Sequence, residues 1–165
     1  MESASKLKLP TSLLDRGDLL SLIREVNSLS DFFVGANARQ TGSPMQIPKT
    51  TRLLDQLVQL NQINLLEASS RKQLAADFEA ILKTAPSVHM SFAMEPSPRS
   101  IEPLITWLRQ NIHPQLLLQV GLQPQIAAGC ILRTSNKIFD FSIRTYLEKQ
   151  SQYLTALVAG TVNGQ

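Results

Sequence analysis

Apolar residues recur along the first half of the chain at the spacing of helices. Leu19, Leu22, Ile23, Val26, Leu29 and Phe33 fall three and four positions apart, which places them on one buried face. Thr11 or Ser12 is positioned to cap this helix, with Asp15 in its first turn, so the spacing predicts a helix over Ser12–Phe33. The segment GANARQTGSPMQIPK (35–49), with its glycines and prolines, is expected to end it. A second helix is predicted from Thr50 or Thr51, presenting Leu53, Leu54, Leu57 and Leu60. A third is predicted from about Ser69, carrying Leu74, Phe78, Ile81 and Leu82 and stopping before Pro86.

Beyond Pro86 the period changes. Val88, Met90, Phe92 and Met94 alternate with His89, Ser91 and Ala93, as in a half-buried strand. EPSPRS reads as a turn, Ser100 as a cap, and Ile101, Leu104, Ile105, Leu108 and Ile112 as one face of a helix closed by Pro114. Residues 116–122, 127–134 and 137–141 read as strands, with Ser135-Asn136 as the hairpin turn between the last two. A final helix from about Ser142 shows Ile143, Leu147, Leu154 and Leu157, and AGTVNGQ is expected to fray. The fold class is therefore α+β. An all-α helical bundle over 1–86 precedes a small α+β domain over 87–165 with a mixed sheet and a C-terminal helix.

Composition narrows the function. The 165 residues are 43% hydrophobic and 18% charged, a globular balance. A net charge of +3 arises from scattered residues, with no run of five or six like charges. Such a surface tolerates an acidic partner without requiring one. The single cysteine, Cys130, excludes an internal disulfide and a multi-cysteine zinc site, and its apolar surroundings suggest a small buried side chain. No apolar run approaches the ~18 residues of a membrane span, and the first residues lack the core of a signal peptide. Membrane association is expected only through partners.

Catalytic patterns are missing. Gly42 is separated from Lys49-Thr50 by Pro44 and Pro48, so the phosphate-cradling spacing is not met. His89 and His113 have no neighbours at ligand spacing, which leaves no metal site; His89 is placed on the wet face of a strand and His113 at a helix C-terminus. Nothing resembles G-x-S-x-G, and a catalytic Cys130 conflicts with its apolar setting. No catalytic residue, cofactor or small-molecule substrate is assigned. Phe139 and Phe141 share a strand face after Lys137, which keeps an RNA-binding module open as an alternative, although aromatics at period two usually belong to a core.

The stretch LLLQVGLQPQIAAGCILRTSNKIFDFSIRTYLEK (116–149) resembles the C-terminal signature of the delta subunit of F-type ATP synthases, a family that includes the mitochondrial oligomycin-sensitivity-conferring protein. The resemblance rests on Pro124, Ile126, Ala128-Gly129, Leu132, Arg133, Asp140, Ser142, Ile143, Arg144 and Leu147 in order. Residues 88–112 resemble the family's preceding strand, turn and helix, and 53–82 the last two helices of its N-terminal bundle. Ala128 stands where the family has a glycine, and Cys130 is unusual at its position. Gly129 suits a bend or a close backbone approach, Asp140 and Ser142 each offer an oxygen to unpaired N–H groups at a strand-to-helix passage, and Arg144 suits either a solvated face or a partner contact.

The resemblance implies a peripheral-stalk (stator) subunit, without enzymatic activity of its own, of a proton-translocating ATP synthase peripheral to an energy-coupling membrane. Its implied partners are the N-terminal helix of the alpha subunit, held in a groove of the helical bundle, and the b-type stalk helices. Candidate interface residues are Leu53, Leu57 and Leu60 on the helical half and Leu147 and Leu154 on the last helix, all of which equally suit a core. The family's bundle has six helices. With only a short stretch containing Pro10 ahead of the Ser12–Phe33 helix, its first helix is expected to be missing, with head attachment altered accordingly. A family-related scaffold in another assembly is the second alternative.

Overall fold

A computed structural model describes residues 7–38 and 47–162. The order of elements is α1 (Arg16–Ala38), α2 (Arg52–Asn61), α3 (Ala68–Thr84), β1 (Ser87–Phe92), α4 (Pro98–Asn111), β2 (Leu117–Leu122), a 3-10 turn (Pro124–Ile126), β3 (Cys130–Arg133), β4 (Ile138–Asp140) and α5 (Ile143–Val162). The fold is α+β, as the change of period predicts. Packing divides the chain into two units. One comprises Met1–Pro86 with Glu102–Leu117; the other comprises Ser87–Ile101 with Leu118–Gln165.

The first unit is built on leucine. Leu19, Leu22, Val26 and Leu29 of α1 meet Leu54 and Leu57 of α2 and Leu74, Phe78 and Ile81 of α3, joined by Leu9, Leu13 and Leu117. Phe78 is the single aromatic in this buried set, consistent with a sequence poor in aromatics.

Three helix ends explain where pattern and structure differ. Helix α1 starts at Arg16 rather than Ser12, because Asp15 and Asp18 cap it reciprocally. The Asp18 N–H donates to Asp15 Oδ1 at 3.0 Å, while the N–H of Leu14 donates to Asp18 Oδ2 at 2.7 Å. The same helix runs through Gly35 to Ala38, since an isolated glycine weakens a helix by about 1 kcal/mol without stopping it. Helix α4 begins at Pro98 rather than Ile101: proline is favoured at a first helical position, and the Ser97 carbonyl accepts from the N–H groups of Ser100 and Ile101. Helix α2 is capped by Thr51, whose side chain accepts from the Leu54 N–H. Glu25 of α1 adds an interaction that sequence periodicity does not reveal. Its carboxylate accepts from the Thr51 N–H at 2.6 Å and from the Thr51 hydroxyl at 2.8 Å.

The second unit carries a mixed four-stranded sheet in the order β2-β1-β3-β4. Strand β1 pairs antiparallel with β3, placing His89 opposite Arg133 and Phe92 opposite Cys130. Strand β3 pairs antiparallel with β4, placing Leu132 opposite Phe139. Ser135-Asn136 forms the hairpin turn, closed by the Thr134 N–H donating to the Lys137 carbonyl at 2.9 Å. Val88, Met90, Leu118 and Ile126 supply this unit's buried apolar side chains among the described residues, along with Ile101.

Candidate functional site: a rigid joint and two open apolar surfaces

The motif residues of the C-terminal stretch converge on one joint between the β3–β4 hairpin and α5. Pro124 opens the 3-10 turn, which buries Ile126 and leaves Ala127 at φ 63°. The chain then reaches Gly129 at φ 92°, a region that favours glycine. A β-carbon at 129 would run into the carbonyl oxygen of Phe141 and lie 3.0 Å from Ser142 Cα. Backbone bonds tie the two segments on either side of this contact. The Phe141 N–H donates to the Cys130 carbonyl and the Ile143 N–H to the Ala128 carbonyl, each at 2.9 Å.

Asp140 and Ser142 complete the joint. Asp140 Oδ1 accepts from the Ser142 N–H at 2.8 Å, and Oδ2 from the Thr145 hydroxyl at 3.0 Å. Ser142 is buried, and its hydroxyl oxygen lies 3.5 Å from the Thr145 N–H that it caps. Hydrogen bonding from Ser142, aided by Thr145 and Arg144, holds the Asp140 carboxyl below the usual carboxylate range. The Cys130 thiol is pushed up, first by burial and then by the Asp140 charge. Arg144 pairs at 2.9 Å with Glu148 one turn along α5, and both side chains are largely solvated. Arg133 is exposed on β3. No proton-transfer or ligand geometry forms around these residues; Asp140, Ser142 and Gly129 fix the direction in which α5 leaves the sheet.

Helix α5 is an open surface. Every described side chain from Ile143 to Thr155 is exposed except Thr145, which is half-buried. Ile143, Tyr146, Leu147 and Tyr153 lie at helical spacing along one side, with Leu147 57% exposed, while Arg144 and Glu148 lie round the other. Leu154 belongs to the same stripe by spacing, but its side chain falls outside the described residues. Beside this helix in sequence, Phe139 and Phe141 stand exposed at 41% and 61%, their rings stacked 6.3 Å apart. They are surface residues, contrary to the usual placing of period-two aromatics in a core.

The three interface candidates of α2 separate by burial. Leu57 is fully buried in the core of the first unit and offers no surface to a partner, which corrects its place among the interface candidates; the helix turns it inward with Leu54. Leu53 is half-buried against the same core. Leu60 is exposed and lines a groove of about 690 Å³, with Leu7, Leu9, Arg109 and Pro114 among its other walls.

Arg109, which sequence reasoning passes over, organises this wall. Its guanidinium donates to the carbonyls of Pro10 at 2.7 Å, Leu13 at 2.6 Å, Leu9 at 3.3 Å and Leu116 at 3.2 Å. Burial pushes its pKa down to about 10, which still leaves it cationic at neutral pH. Arg71 acts similarly beneath α1. It donates to the carbonyls of Leu65 and Leu66 and to the Ser30 hydroxyl, with its guanidinium 4.4 Å from the Phe33 ring centroid. A signal exists for both: Arg71 precedes Leu74 and Phe78 by three and seven residues, and Arg109 follows Ile105 by four, so each cation lies on an apolar stripe.

His89 is half-buried with Nε2 3.1 Å from the Ser91 hydroxyl, and His113 Nδ1 accepts from the Gln115 N–H. Among the described residues no cluster of three or more His, Cys, Asp or Glu is placed to hold a metal ion, and no helix is long and apolar enough to cross a membrane.

No family model matches the sequence, and no curated protein matches it. Among solved structures, the chain is similar to one chain of the Polytomella F-ATP synthase, determined by cryo-EM in its primary rotary state 3. The alignment has a TM-score of 0.41 at 14% identity, and covers 47% of this chain and 99% of the other.

Proposed function

We propose that this chain is a non-catalytic peripheral-stalk subunit of a rotary F-type ATP synthase, linking the catalytic head to b-type stalk helices and resisting the torque of the rotor. The observation that carries the reading is α5, a 20-residue helix whose described side chains bury almost nothing within the chain. Most of a helix's stability in a protein comes from packing its amphipathic face, and the apolar stripe of α5 offers that face to a partner. The Gly129–Asp140–Ser142 joint supports the same reading, because a tether that bears load needs a fixed exit angle for its arm.

In this reading the b-type helices lie along Ile143, Tyr146 and Leu147, continuing toward Leu154. The alpha subunit's N-terminal helix lies in the apolar groove beside Leu60. The chain is peripheral to the membrane and reaches it through these partners.

The test is capture of the tagged full chain from membranes in mild detergent, followed by mass spectrometry. Recovery of alpha, beta and b-type subunits, abolished by Leu147→Glu for the b-type chains alone, supports the reading. Their absence from the captured material sinks it and leaves a scaffold in another assembly.

A further inference from the structure

We propose that the outer row of β4 is a binding site for single-stranded nucleic acid, a property independent of the stalk reading. Phe139 of β4 and the flanking Lys137 and Phe141, which carry the ladder on through the Thr134–Lys137 and Phe141–Cys130 backbone bonds, fall by alternation on one side of the sheet's edge, about 6.6 Å apart at successive positions. Phe139 and Phe141 are both exposed, and their rings lie within 11° of parallel with centroids 6.3 Å apart. Exposed, aligned rings at a sheet edge offer π-faces on which unpaired bases stack, whatever their sequence.

Charge favours a polyanion over an apolar helix at this row. The cation at this row is Lys137, which is exposed; Arg133, paired with Ile138, lies on the other face of the strand pair. The nearest carboxylate in sequence, Asp140, points to the other side of the strand by alternation, and its oxygens are engaged by Ser142 and Thr145. Lys137 meets a phosphate while the two rings take the neighbouring bases. The contact is small, with few phosphates engaged, so binding is weak, tolerant of base identity and sensitive to salt.

The experiment measures fluorescence anisotropy of labelled oligo-uridylate and oligo-thymidylate with the full chain, between about 50 and 200 mM salt. Saturable binding is expected for the wild-type chain. Phe139→Ala with Phe141→Ala is expected to weaken it by at least about tenfold. Lys137→Gln is expected to flatten the log–log salt slope by about 0.7, the loss of one phosphate contact on a single strand. Thermal melts of the variants are expected to match wild type, because the substituted side chains are exposed. Absence of wild-type binding overturns the proposal, as does binding that survives loss of both rings, and the row is then left to a protein partner.

Discussion

Gly129 and Phe141 touch backbone to backbone: the space a side chain would take at 129 is occupied by the Phe141 carbonyl oxygen. This contact, with the positive φ of Gly129, fixes the hairpin against the start of α5.

Gly129→Ala is therefore expected to cost about 2–3 kcal/mol, combining left-handed strain with a backbone clash that no rotamer relieves. Urea denaturation checks this. Gly35→Ala is the control: nothing lies within 4 Å of its added β-carbon, and it is expected to stabilise α1 by about 0.5–1 kcal/mol.

The joint is also acid-sensitive. A carboxyl held low in the folded chain contributes stability that is present above the ordinary carboxylate range and is lost as pH falls through the lowered value. The titration of Asp140, followed by carboxyl carbon NMR, is expected to have its midpoint below about 3.9. Asp140→Ala is expected to remove stability at neutral pH and to leave acid unfolding less steep.

Cys130 reports the same electrostatics from the opposite side. Its alkylation is expected to be slow at neutral pH, with a rate profile whose midpoint lies above that of a free thiol. Asp140→Asn removes the neighbouring charge, and the midpoint is expected to move down.

Burial separates the α2 leucines in energy as well as in position. Leu57→Ala is expected to cost about 2–5 kcal/mol, the range for emptying a packed core site. Leu60→Asp is expected to stay within about 0.5 kcal/mol of wild type in the isolated chain. In the proposed assembly it weakens attachment of the head. Chemical melts and co-purification measure the two effects separately.

Arg109→Ala is expected to destabilise the first unit by about 2–4 kcal/mol, since four carbonyls lose a charged donor. Arg109→Lys is expected to recover only part of this, because an ammonium lacks the planar fork that reaches several carbonyls together. Urea denaturation of the two variants beside wild type gives both numbers.

Local chemistry made much of this fold readable. Thr51 caps where a threonine before a leucine-rich stripe should, Ser135-Asn136 turns the hairpin, and Ser142 begins α5. The α1 boundaries were harder to read because two plausible signals competed at each end. At the start, the Asp15–Asp18 pair satisfies more N–H groups than Thr11 or Ser12; at the other end, one glycine is too weak a break. The motif could be read as an ordered set of residues, but the collision behind Gly129 could not, since it depends on a backbone brought from twelve positions away. Periodicity also cannot tell a buried leucine from an exposed one on neighbouring turns. Leu57 and Leu60 are both apolar and three apart, and the core's extent decides between them.

The Arg109 clamp has a consequence in time. The residues it grips near Leu9, Pro10 and Leu13 leave the ribosome about a hundred positions before it does. At about 5–20 residues per second, the front of the chain waits roughly 5–20 s for its lock. Until then Leu9 and Leu13 can gather with the leucines of α1 to α3 and Lys8 can bond Asn61, but the carbonyls of Leu9, Pro10 and Leu13 lack their charged donor. The turn from Leu9 to Leu13 thus receives its charged donor only after all three helices have been made.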